Sequence, residues 1–111
     1  MRKFIVLFGL LTLLTTLVSA QKKDFCSLQG AVYIEKVAAF ADYRVFVDDN
    51  ESFADLVVYK EDSEVYADAP GHWFITDNKA FADFTIYIEE VKNFADFSIA
   101  YTTFRTAVGC R

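Results

Sequence analysis

The sequence predicts an all-β domain of six or so short strands, built from near-copies of one segment. Three observations predict it. The triplet Phe-Ala-Asp stands at Phe40-Ala41-Asp42, Phe53-Ala54-Asp55, Phe81-Ala82-Asp83 and Phe94-Ala95-Asp96, with the variant Tyr66-Ala67-Asp68 between them, in steps of 13, 13, 15 and 13 residues. A fixed internal period of this kind is the mark of a repeat-built fold. Each triplet leads into a segment whose residue types alternate with period two, the strand period. Short polar pieces, such as Asp49-Asn50-Glu51-Ser52, join the copies with residues able to bond their own backbone.

In chain order, residues 1–20 read as a secretory signal peptide. Arg2 and Lys3 precede the apolar run 4–18, and Val18-Ser19-Ala20 supplies small residues before Gln21. That run, fifteen residues long and apolar apart from Gly and Thr, falls short of the ~20 that a membrane span needs. Residues 21–29 form a lead that carries Cys26, and 30–111 form a single repeat-built β domain. AVYIEK (31–36) opens the series, and FADYRVFVD (40–48) and FADLVVYKE (53–61) follow it. GHWFITDN (71–78) is the copy after a two-residue insertion at Pro70-Gly71, which accounts for the single 15-residue step. FADFTIYIE (81–89) and FADFSIAYT (94–102) complete the triplet-led segments, in which Val, Ile, Tyr, Phe and Thr together dominate, as strands favour. AVGCR (107–111) ends the series irregularly.

Within the fifth strand copy, Ala82, Phe84, Ile86 and Ile88 share one face, while Phe81, Asp83, Thr85, Tyr87 and Glu89 share the other. The triplet Phe is expected to bury apolar area worth about 2–3 kcal/mol. The Ala is expected to leave room for a passing segment. The Asp is disfavoured inside a strand, and a side-by-side ladder of them would repel. Each is therefore read as marking a bend, its carboxylate accepting backbone N–H groups. Calcium is the weaker reading, because its six to eight oxygens must converge on one point and a regular spacing disperses them.

Beyond residue 20, nine basic residues stand against sixteen acidic, a net charge of −7. That balance makes nucleic acid and anionic membranes poor partners. The two cysteines, Cys26 and Cys110, bracket the domain and read as a disulfide in an oxidising compartment. They are too few and too distant, with the single histidine His72, to build a metal site. No nucleophile elbow, phosphate-cradling glycine loop or His-Glu-x-x-His occurs. The sequence therefore reads as a non-enzyme, with no cofactor and no metal.

The aromatic-Ala-Asp pattern, the Val/Ile/Tyr-rich strand ending in Glu or Asp, the polar turn, and one Trp-containing copy (His72-Trp73-Phe74) together resemble the septoil-knot family over residues 28–111. The resemblance implies small bacterial domains, often exported, whose β-rich chain is tied in a seven-crossing torus knot. It brings no activity and no functional residues. Family members end in an aromatic-x-Ala-Gly-Trp run, from which this chain departs at Thr106-Ala107-Val108-Gly109-Cys110.

The function expected is that of a stable structural or interaction protein of the cell envelope or secretome, in the periplasm or outside the cell. The alternative is an aromatic-faced binding module for a glycan, a peptide or a partner protein. A homodimer would form through a strand edge. No membrane contact is expected after signal cleavage.

Overall fold

The computed structural model describes residues 24–111, so the signal-peptide expectation for 1–20 and the start of the 21–29 lead lie outside the described residues. Seven strands follow a short 3-10 turn at Asp24–Ser27: β1 (Gly30–Ile34), β2 (Tyr43–Val47), β3 (Leu56–Lys60), β4 (His72–Ile75), β5 (Phe84–Ile88), β6 (Phe97–Thr102) and β7 (Gly109–Cys110). Each pair of consecutive strands is joined by a return segment holding one 3-10 turn. The strands coincide with the Val/Ile/Tyr/Phe-rich alternating runs, and the turns with the polar joins plus the triplet ring.

Six strands are all parallel and close on themselves in the order β4–β1–β5–β2–β6–β3, with β3 meeting β4 again. Spatial neighbours are never consecutive copies across this ring, apart from that closing pair. The chain lays down β1, β2 and β3 on a first circuit, leaving gaps. A second circuit fills them with β4, β5 and β6. Representative registers are Val32 with Phe84 and Val45 with Phe97.

Parallel neighbours ordinarily need crossovers of a dozen or more residues. Here returns such as 35–42 suffice, because the strands they serve are five residues long, roughly 16 Å. The returns run along the outside of the ring. Segment 76–83 lies over β1: its Lys79 reaches Glu35 just beyond one end, and its Asp83 binds Ala31 near the other. Segment 89–96 lies over β2 in the same way, through Lys92 to Asp48 and Asp96 to Arg44.

This two-layer arrangement buries both faces of the strands. The barrel interior is filled by Val32, Val45, Leu56, Val58, Trp73, Phe84, Ile86, Phe97 and Ile99. Phe25 stacks on Phe97, and Trp73 and Tyr43 meet Phe84 edge-on. The opposite faces of the same strands are buried as well, by Ala31, Val57, Thr85, Ser98 and Ala100 beneath the returns. The residues fully covered there are small or β-branched, since a return lies directly above them.

The triplet rings depart from expectation. Phe40, Phe53, Phe81 and Phe94 are about two-thirds exposed, as is the variant Tyr66 to 58%. They end the 3-10 turns of the returns and point away from the barrel. The expected burial belongs instead to the aliphatic residues and to Trp73, Phe84 and Phe97 of the strands. Alternation within a strand identifies two faces, but the triplet ring precedes the strand and obeys the turn's geometry.

The ring closes at one seam. The outer edge of β3 is divided: Tyr59 and Lys60 pair with β4, while Leu56 and Val57 pair antiparallel with β7. The Pro70-Gly71 insertion makes room for this. Gly71 has φ +83°, and a Cβ there would lie 2.2 Å from a Val108 methyl. Gly71→Ala is expected to cost about 1–3 kcal/mol, since the left-handed conformation and the contact both oppose it. Urea midpoints would measure it, and the loss should be recovered in part by Val108→Ala.

Candidate functional site: the return segments and their clasps

The four aspartates of the full triplets have one geometry. Each sits one residue before its strand and grips the neighbouring strand at two points. Asp42 donates its N–H to the Thr85 carbonyl, and its Oδ2 accepts the Thr85 N–H at 2.9 Å. Asp55 does the same to Ser98, Asp83 to Ala31 and Asp96 to Arg44, with Oδ2 to N–H distances of 2.9, 2.8 and 2.7 Å. The residues joined are 43 or 52 positions apart, so every clasp ties one circuit to the other. A bond to an ionised acceptor contributes about 1.5–3 kcal/mol. The side chain is short enough to take the ladder position that a backbone carbonyl would fill further along the strand. Thr85 and Ser98 add a hydroxyl that accepts the aspartate N–H.

Asp68 stands apart. Ala67 before it has ψ 54°, where the corresponding alanines of the full triplets lie between 140° and 151°. Here the insertion carries the chain onward, and the Leu28 carbonyl accepts both the Gly71 N–H and the Trp73 indole N–H. The alanines divide also: Ala54 and Ala67 are buried, while Ala41, Ala82 and Ala95 are half-buried where the returns turn into the strands.

A second set of contacts sits at the opposite ends of the strands. Lys79 pairs with Glu35 at 2.6 Å, Lys92 with Asp48 at 2.9 Å and Arg105 with Glu61 at 3.1 Å. The Lys92–Asp48 and Arg105–Glu61 pairs span 44 residues, and the Lys79–Glu35 pair has the same spacing. Each cation opens a second-circuit 3-10 turn, and each acid follows a first-circuit strand. The corresponding turn positions on the first circuit are Ala38, Glu51 and Glu64. Glu51 lies beside Thr102, which ends β6 with a hydroxyl where first-circuit strands have an acid. Like charges are thus kept off the crossings.

The hydrogen bond from Lys92 holds the Asp48 carboxyl below its ordinary value. A carboxylate shifted down stabilises the fold above its unfolded pKa, and that contribution is lost as pH falls through the folded value. The bond to Glu35 raises Lys79 likewise, so its contribution holds below the usual lysine range and is lost in alkali. Burial raises the Tyr101 hydroxyl.

Glu61 is the one buried carboxylate of this set. Its Oε1 is 2.9 Å from His72 Nδ1, and its Oε2 takes Arg105. Arg105 also lies over the Tyr59 and Tyr66 rings, and its own pKa is raised, first by its bond to Tyr59 and then by Glu61. The only histidine is therefore engaged in fixing the last return over β3. The pairing of these residues is not visible in any one copy of the repeat. Aligning the copies shows the signal: the turn position reads Ala, Glu, Glu, then Lys, Lys, Arg.

Cys26 and Cys110 form a disulfide that ties the 3-10 turn at Asp24–Ser27 to β7. Shallow depressions mark both barrel ends, about 540 Å³ beside Gln29, Asp42, Tyr43 and Asp83, and about 460 Å³ beside Asn50, Glu51, Thr103 and Phe104. Among the described residues, no group of three or more His, Cys, Asp or Glu side chains converges on a metal position. No helix among them is long and apolar enough to cross a membrane.

Reversing one charge tests the crossings. Lys92→Glu should lower the urea midpoint, and adding Asp48→Lys should restore most of the loss, whereas Asp48→Lys alone should be as harmful as Lys92→Glu.

No curated protein matches the chain. A family model described as the 7(1) septoil knot domain matches residues 25–111, which takes in every strand, every return and both cysteines. Its extent coincides with the twice-wound barrel, and the chain belongs to the septoil knot family.

Proposed function

We propose that the chain is an exported, non-catalytic interaction module: a rigid barrel that presents aromatic side chains on its outer returns. The observation that carries this reading is the exposure of Phe40, Phe53, Tyr66, Phe81, Phe94 and Phe104, between 58% and 70% in each case. A ring left in water forgoes roughly 1.5–3 kcal/mol of burial. Here the same sacrifice recurs on six returns of a fold whose core is filled without them.

Cations accompany the rings. Lys79 lies 5.8 Å from the Phe40 ring centre and Arg105 lies 5.9 Å from that of Tyr66, while Lys92 donates to the Phe53 carbonyl. Flat rings beside hydrogen-bond donors suit a protein or glycan partner. The acidic balance opposes nucleic acid and anionic lipid. The closed barrel leaves no long open strand edge among the described residues, so a partner would meet the returns and not extend the sheet. The disulfide fits an oxidising compartment, in keeping with export to the periplasm or beyond the cell.

Phe53→Ser combined with Phe94→Ser tests this. Exposed positions of this kind change stability by about 0.5 kcal/mol or less each. The parent protein should be retained on isolated envelope material, and the double variant should keep its thermal midpoint but lose that retention. Equal retention of both proteins would reject the reading, as would a variant that fails to fold because the rings support the barrel.

A further inference from the structure

We propose that the Cys26–Cys110 disulfide is a redox-operated lock on the winding: once it has formed, the chain can neither unthread nor thread, and only reduction restores either motion. The argument begins with the strand order. Every strand of the second circuit lies between strands of the first. Return 35–42 passes over β5, to which Asp42 is clasped, and return 48–55 passes over β6, to which Asp55 is clasped. Returns 76–83 and 89–96 pass in turn over β1 and β2. The circuits therefore cross alternately. Neither can be lifted off the other, and the chain comes apart only when a free end is drawn back beneath the returns.

The disulfide removes the free ends. It joins two residues 84 positions apart, in the first and last described elements of the chain. All seven strands lie within the closed loop. Cys110 is exposed and Cys26 half-buried, so a soluble thiol can reach the bond. A dithiol opens it by two exchanges. The protein S–S bond breaks, the reductant's own S–S bond forms, and the two reductant protons pass to the cysteine sulfurs.

The chain has only two cysteines, so its intramolecular disulfide has only one pairing. A chain oxidised after folding and a chain oxidised while unthreaded share one covalent formula. They differ only in topology. In an oxidising compartment threading must then come first and bond formation second. The native state is held kinetically by the lock as well as by its contacts.

The test uses the chain made by chemical synthesis and never folded. One portion is oxidised in denaturant with oxidised glutathione, and the other is folded while reduced and then oxidised. Both are returned to denaturant and diluted. The fluorescence of Trp73, the only tryptophan and fully buried, reports folding. The portion oxidised after folding should regain the buried signal. The portion oxidised in denaturant should not, until dithiothreitol is added, whereupon the buried signal should return. Recovery of both portions without reductant would overturn the proposal.

Discussion

Hydrogen bonds accepted by four aspartate carboxylates hold one circuit of the chain against the other. Asp42, Asp55, Asp83 and Asp96 each occupy the place where a return enters the sheet. At that place the neighbouring strand offers an N–H group with no carbonyl yet alongside. An unpaired N–H there would cost about 1–3 kcal/mol. The carboxylate fills the gap while the same residue's N–H continues the ladder. Because the partner is always a strand of the other circuit, these bonds fix the interleaved order, and with it the parallel registers, the closed barrel and the burial of both strand faces.

A repeated sequence carries a hazard: equal copies can pair in the wrong order. The charges at the opposite ends of the strands counter it. Second-circuit turns begin with Lys79, Lys92 or Arg105, and first-circuit strands are followed by Glu35, Asp48 or Glu61. A first-circuit turn beginning with Glu51 or Glu64 could not take the same seat without setting acid against acid. Charged positions that specify partners do the same service in coiled coils. The contribution to stability is small at exposed sites, so the larger effect is on register.

Much of this was legible in the sequence. Period-two alternation located β5 and β6, the triplet spacing gave the repeat, and the two-residue insertion marked the irregular copy where the ring closes. Placement of the cysteines at the two ends of the domain pointed to the bond between them. The side of the triplet ring was not legible. Phe81 shares parity with Thr85 and Tyr87, but it belongs to a 3-10 turn, whose geometry directs it into solvent. The partners of the aspartates were equally hidden. Asp55 binds a residue 43 positions away, and local pattern carries no information about which copy lies alongside. The resemblance to the septoil-knot family implies the winding, and the strand pairing fixes the order: consecutive copies alternate around the ring.

That order can be measured most directly from nuclear Overhauser contacts between backbone protons of adjacent strands. Val32 should give contacts to Phe84, Val45 to both Ile88 and Phe97, and Leu56 to Ile99. A network linking β1 to β2 and β2 to β3 along the sheet instead would contradict the interleaved winding on which the clasps, the charge pattern and the two buried faces all depend.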